Sequence, residues 1–172
     1  MARVRSKTHP AASQPRIDRY QESGQGDPYR MPRKLPDPSV CPTCRAAYHN
    51  GRWTWEGAPA DANRQECPAC LRASDDYPAG ILTMRGGFLV QHGQEIGNLL
   101  RNVETREKQN HPLKRIIAIR TEPDGAWVVT TTDARLARGL GEALHHAYQG
   151  ELDYDFHQVE SSPLRVSWQR EH

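Results

Sequence analysis

Four cysteines constrain this chain more than any other feature. They form two Cys-Pro-x-Cys pairs, Cys41-Pro42-Thr43-Cys44 and Cys67-Pro68-Ala69-Cys70, with 22 residues between Cys44 and Cys67. A two-residue gap lets both sulfurs of a pair turn onto one ion, and two pairs supply the four thiolates of a tetrahedral zinc shell. Disulfides would require an oxidising compartment, and a thioredoxin-like centre uses one dithiol rather than two. Cys41, Cys44, Cys67 and Cys70 are therefore expected to bind one Zn2+ per chain, each pair forming a knuckle. Four thiolates leave no position for water, so the expected metal is structural rather than catalytic.

The segment between the pairs has its own signal. Tyr48, Trp53 and Trp55 flank His49-Asn50-Gly51-Arg52, and Asn-Gly favours a tight hairpin because both residues accept positive φ. Residues 39–76 thus read as a zinc ribbon.

Hydrophobic residues make up 36% of the 172-residue chain and prolines number 13, so part of the length is expected to build no core. That part is the N-terminus. Pro10, Pro15, Pro28, Pro32, Pro36 and Pro38 interrupt residues 1–38, which follow neither the helix nor the strand period. Residues 1–40 hold eight Lys/Arg against four acids, whereas residues 41–172 hold fifteen against seventeen. A basic extended or disordered arm is expected, able to bind a polyanion by counterion release. Its candidate nucleic-acid contacts are Arg3, Arg5, Lys7, Arg16, Arg19, Arg30, Arg33 and Lys34, with Tyr29 as a stacking platform. Arg52 and Trp53 at the hairpin form a second candidate set. With no long apolar run and no signal-peptide pattern, the expectation is a cytoplasmic protein with no membrane partner.

Residues 77–172 show clearer periodicity. Ile81 to Met84 read as a strand ended by Gly86-Gly87, and Leu89, Ile96, Leu99, Leu100 and Val103 recur at helical spacing over about 88–109. Pro112 stops that helix. Ile116 to Ile119 and Trp127 to Thr130 flank the turn Glu122-Pro123-Asp124-Gly125 and predict a hairpin. Asp133 predicts an N-cap for an apolar stripe of Leu136, Ala137, Leu140, Ala143, Leu144, Ala147 and Tyr148, which Gly150 closes. Leu152, Tyr154 and Phe156, then Leu164, Val166 and Trp168, alternate with polar residues as two last strands. The expected class is α+β, a zinc ribbon followed by a ferredoxin-like βαββαβ sandwich domain with an extra C-terminal strand.

Candidate active-site groups are few. His92-x-x-Glu95 and Glu142-x-x-His145 have the spacing used in di-iron carboxylate proteins, but that chemistry needs two further inward glutamates and a four-helix bundle. Thr130 to Asp133 read as a strand leading into an N-cap. No glycine loop for phosphate is present, so neither an enzyme nor a small-molecule substrate is expected.

The stretch Val40 to Tyr48, then Gly51-Arg52-Trp53-Thr54-Trp55 and Cys67-Pro68-Ala69-Cys70, resembles one zinc-knuckle pair of the NMD-three family of ribosomal large-subunit adaptor proteins. Small bacterial proteins grouped with that family are similar over nearly the whole chain, sharing Thr-Thr-Asp-x-x-Leu-Ala-Arg (Thr131 to Arg138) and Ala-Tyr-Gln-Gly-Glu-Leu (Ala147 to Leu152). The adaptors carry additional cysteine pairs, a longer middle and an export region, all missing here, so nuclear export is not implied. The resemblance implies a module that docks on the large subunit, at the joining face near tRNA sites. The resulting expectation is a non-enzymatic protein that binds the ribosome through rRNA and ribosomal proteins, as a stress or hibernation-type factor. A zinc-ribbon protein-interaction adaptor and a DNA-binding regulator remain as alternatives.

Overall fold

The computed structural model describes residues 27–29, 34–155 and 162–172. It is an α+β structure of two sheets and three helices. The first sheet is built from very short strands: β1 (Ser39–Val40), β2 (Ala47–His49), β3 (Arg52–Thr54) and β4 (Asn63–Arg64), in the order β3-β2-β1-β4. Asn50 and Gly51 turn β2 into β3 with φ of 50° and 80°, the positive pair that the Asn-Gly signal predicts. Helix α1 (Pro68–Ser74) follows. The second cysteine pair is therefore the start of a helix and not a second knuckle. Cys67 is its N-cap and Pro68 occupies the first turn, where a missing backbone N–H costs nothing. With seven residues, α1 is too short for its apolar period to register in the sequence.

The second sheet contains β5 (Gly80–Arg85), β6 (Ile116–Thr121), β7 (Trp127–Thr131), β8 (Glu151–Asp155) and β9 (Leu164–Gln169). Its order is β6-β7-β5-β9-β8. The first three positions match the expected split βαβ arrangement, but the extra strand β9 enters the sheet beside β5, to which it runs parallel, and displaces β8 to the edge. Side-chain chemistry accounts for the exchange. Val166 and Trp168 on β9 are fully buried, whereas on β8 Leu152 and Tyr154 are half-buried between Glu151, Asp153 and Asp155. The more apolar strand takes the interior and the acid-rich strand the edge, where charge discourages pairing with another chain.

Helices α2 (Gly87–Asn110) and α3 (Ala134–Tyr148) supply the other half of the core. Leu82 and Met84 of β5, Val129 of β7, and Val166 and Trp168 of β9 meet Ile96, Leu100 and Val103 of α2 and Leu136, Leu140 and Leu144 of α3. Asp133 caps α3 as expected, its carboxylate accepting the Leu136 N–H at 3.0 Å. Gly141 lets α3 sit directly on the sheet, since a Cβ there would stand 2.7 Å from Val166 Cγ1. Helix α2 is kinked at His92 (φ −116°, ψ 19°), whose ring stacks on Phe88 at 4.1 Å.

Leu144 is fully buried in this cluster. Leu144→Ala should cost about 2–5 kcal/mol of stability in urea unfolding, and a loss below about 0.5 kcal/mol, the range of exposed substitutions, would place the α3 stripe outside the core.

Candidate metal centre

The four cysteines converge from two local structures. In the first, β1 leads into a knuckle closed by the Cys41 N–H donating to Ala46 O (2.8 Å) and the Arg45 N–H donating to Cys41 O (2.9 Å). Arg45 completes the turn at φ 68°. In the second, the opening turn of α1 presents Cys67 and Cys70. The Cys70 N–H points at Cys67 Sγ (3.4 Å) and the Cys67 N–H crosses to Cys41 Sγ (3.4 Å).

All four Sγ atoms lie within 4.8 Å of one another, and Cys44 and Cys67 approach to 3.7 Å. A tetrahedron with metal–sulfur bonds of about 2.3 Å has edges of about 3.8 Å, so the spacing suits one ion. Cys41, Cys67 and Cys70 are buried and Cys44 is half-exposed. Among the described residues this is the one group of three or more His, Cys, Asp or Glu side chains placed to hold a metal. Its all-sulfur donor set suits a soft or borderline ion and leaves no oxygen or nitrogen ligand for a harder one.

One side chain outside the ribbon reaches the cluster. Arg115, in the turn between α2 and β6, donates from Nη1 to Cys70 Sγ (3.2 Å) and from Nη2 to Cys44 Sγ (3.0 Å), with Cys67 Sγ at 3.7 Å. Burial alone would raise the Cys44 thiol, but the Ala46 backbone N–H and the Arg115 guanidinium outweigh it and lower it from 9.0 to about 7. Burial prevails at Cys67 and Cys70, and both thiols are pushed up.

The candidate nucleic-acid residues divide. Arg3, Arg5, Lys7, Arg16, Arg19, Arg30 and Arg33 lie outside the described residues. Lys34 and Arg52 are exposed. Tyr29 is not the free stacking platform expected. It is 7% exposed, its hydroxyl donates to Asp75 Oδ2 (2.7 Å), and its ring packs against Tyr77 and under the Arg72 guanidinium, 4.6 Å from the ring centre. Arg72 in turn pairs with Asp27. This clamp fastens residues 27–29 to α1, because a buried guanidinium needs both a carboxylate and aromatic cover. Trp53 is likewise occupied, packing on the cysteine cluster and against Tyr48 at 5.5 Å. The exposed indole is Trp55, at 40%.

The other candidate groups have structural partners. His92 approaches Glu95 at 3.5 Å, Glu142 pairs with Arg138, and His145 Nδ1 faces Gly150 O at 3.0 Å. No described helix is long and apolar enough to cross a membrane.

The chain matches no protein-family profile, no curated protein and no solved structure. The reading of the centre therefore rests on its own geometry.

Metal in small cysteine modules contributes about 10–16 kcal/mol of apparent binding free energy. Cys67→Ser should therefore speed backbone hydrogen exchange throughout 39–76 while α3 stays protected. Unchanged exchange in the ribbon would show that the sulfurs do not hold it together.

Proposed function

We propose that this chain is a non-enzymatic, cytoplasmic zinc-ribbon protein that binds the ribosome, through rRNA of the large subunit, in the manner of a stress or hibernation factor. Zinc is the proposed metal because four clustered thiolates, three of them buried, suit it, and a reducing cytoplasm keeps such thiols free.

The observation that carries the reading is where the base of the basic arm lies. Asp37 accepts the Asn50 N–H (2.8 Å) and bonds His49 Nδ1 (2.7 Å), both at the tip of the β2–β3 hairpin. The described base of the arm, from Lys34, is thereby tied to the tip that carries exposed Arg52. Lys34 at the base of the arm and Arg52 at the tip are then both exposed to a phosphate backbone, Lys34 supplying charge and Arg52 placement. The resemblance to the large-subunit adaptors supports the same target.

A second reading, a protein-interaction adaptor, is favoured by Trp55. Its exposed ring borders a cleft of about 450 Å³ that Thr54, Glu56, Gln109, Asn110 and Pro112 complete, and aromatic anchors of this kind are common at protein interfaces.

Co-sedimentation with ribosomes at two salt concentrations separates the two. Because Asp27 and Tyr29 belong to the folded part, the informative truncation removes residues 1–26, which carry Arg3, Arg5, Lys7, Arg16 and Arg19. It should flatten the salt dependence, each lost phosphate contact removing roughly 0.7–0.9 from the log–log slope. Arg52→Ala should weaken association more than any single arm substitution, with little change in slope. Wild type that stays at the top of the gradient at low salt would reject the ribosome in favour of the adaptor.

A further inference from the structure

Arg115 belongs to the α/β domain, yet its side chain ends in the cysteine cluster. Its backbone N–H donates to Thr132 Oγ1 (2.9 Å), its carbonyl accepts the Thr132 N–H (2.9 Å), and its Nε donates to Pro112 O (2.7 Å). Next to it, the Ile116 N–H donates to Glu104 Oε1 (2.7 Å) and Lys114 pairs with Glu107 at 2.7 Å. The backbone at Arg115 is thus held by Thr132 at the end of β7, its neighbours by Glu104 and Glu107 of α2, and the guanidinium itself by Pro112 O. Its forward edge meets sulfur from both cysteine pairs, Cys44 of the knuckle and Cys70 of the helix. Trp55 flanks it, with the guanidinium carbon 5.8 Å from the ring centre.

Among the described residues the Nη atoms have no carboxylate partner, only sulfur. A half-buried cation placed so needs a negative counterpart. Four thiolates around a divalent ion carry a net charge of −2, and the Arg fork is the side chain suited to meet two acceptors at once.

We propose that Arg115 is the positioning residue of the metal centre: it hydrogen-bonds one thiolate of each Cys-Pro-x-Cys pair, offsets the charge of the metal–sulfur cluster, and fixes the loaded ribbon onto the α/β domain. Metal loading is thereby linked to how the two modules sit on one another. Leu113 packing on the cysteine cluster, and the Trp55 indole N–H donating to Lys108 O (2.6 Å), are the neighbouring contacts that this anchor organises.

The inference rests on the metal reading above, and its test keeps the two apart. The full-length protein is compared with Arg115→Gln and Arg115→Lys by zinc release to a chelator, by the thiolate-to-cobalt charge-transfer band after cobalt substitution, and by hydrogen exchange over residues 112–118. Partners of metal ligands typically change affinity about 10–100-fold, so Arg115→Gln should release zinc at least about tenfold faster and shift the cobalt band to lower energy. Arg115→Lys should fall between, because a point charge replaces the fork. Removing zinc should speed exchange over 112–118 in wild type and add little in Arg115→Gln. If Arg115→Gln does not fold, Arg115→Lys decides. A variant that matches wild type in both release rate and cobalt band overturns the role of Arg115 while leaving the metal in place. Wild type that takes up neither zinc nor cobalt overturns the metal reading itself.

Discussion

The ribbon has almost nothing to hold it except sulfur. Its strands are two or three residues long, and the buried cluster at its centre consists of Cys41, Cys67, Cys70 and Ala69, with Trp53 and Leu113 packed at the side. A core so small offsets little of the entropy of ordering a ribbon of this length, and the four clustered sulfurs are placed so that one ion would join the knuckle to α1. Residues 27–29 dock on α1 through Arg72, and the hairpin tip receives the base of the arm through Asp37. Each attachment lies in one half of the ribbon, the first on α1 and the second on the hairpin.

The α/β domain meets a different constraint. Leu82, Met84, Val129, Val166 and Trp168 on one side and the α2 and α3 stripes on the other bury a contiguous apolar cluster, which needs no metal. The two modules therefore differ in what stabilises them, and Arg115 joins the one to the other.

How much of this was readable in the sequence depended on range. The cysteine pairs, the Asn50-Gly51 turn, the Asp133 cap and the α3 stripe are local patterns, and the structure contains each of them. Helix α1 is too short to show in the sequence, so the second pair looks there like a second knuckle. The place of β9 could not be read from alternation, because β8 and β9 alternate alike. Only the contrast between Trp168 and the acids Glu151, Asp153 and Asp155 separates an interior strand from an edge. Arg115 stands 45 residues from Cys70, and no spacing rule connects them. The basic surroundings of Tyr29 suggest a base-stacking ring, but the partner that claims it, Arg72, belongs to the helix that the sequence conceals.

The claim on which this account turns is that one ion joins all four sulfurs. X-ray absorption at the zinc edge of the purified full-length protein tests it directly. The account predicts about one equivalent of zinc with four sulfur neighbours at about 2.3 Å and no nitrogen or oxygen in the first shell. A spectrum that requires a nitrogen or oxygen ligand, or protein that is folded over residues 39–76 with no metal bound, would contradict it.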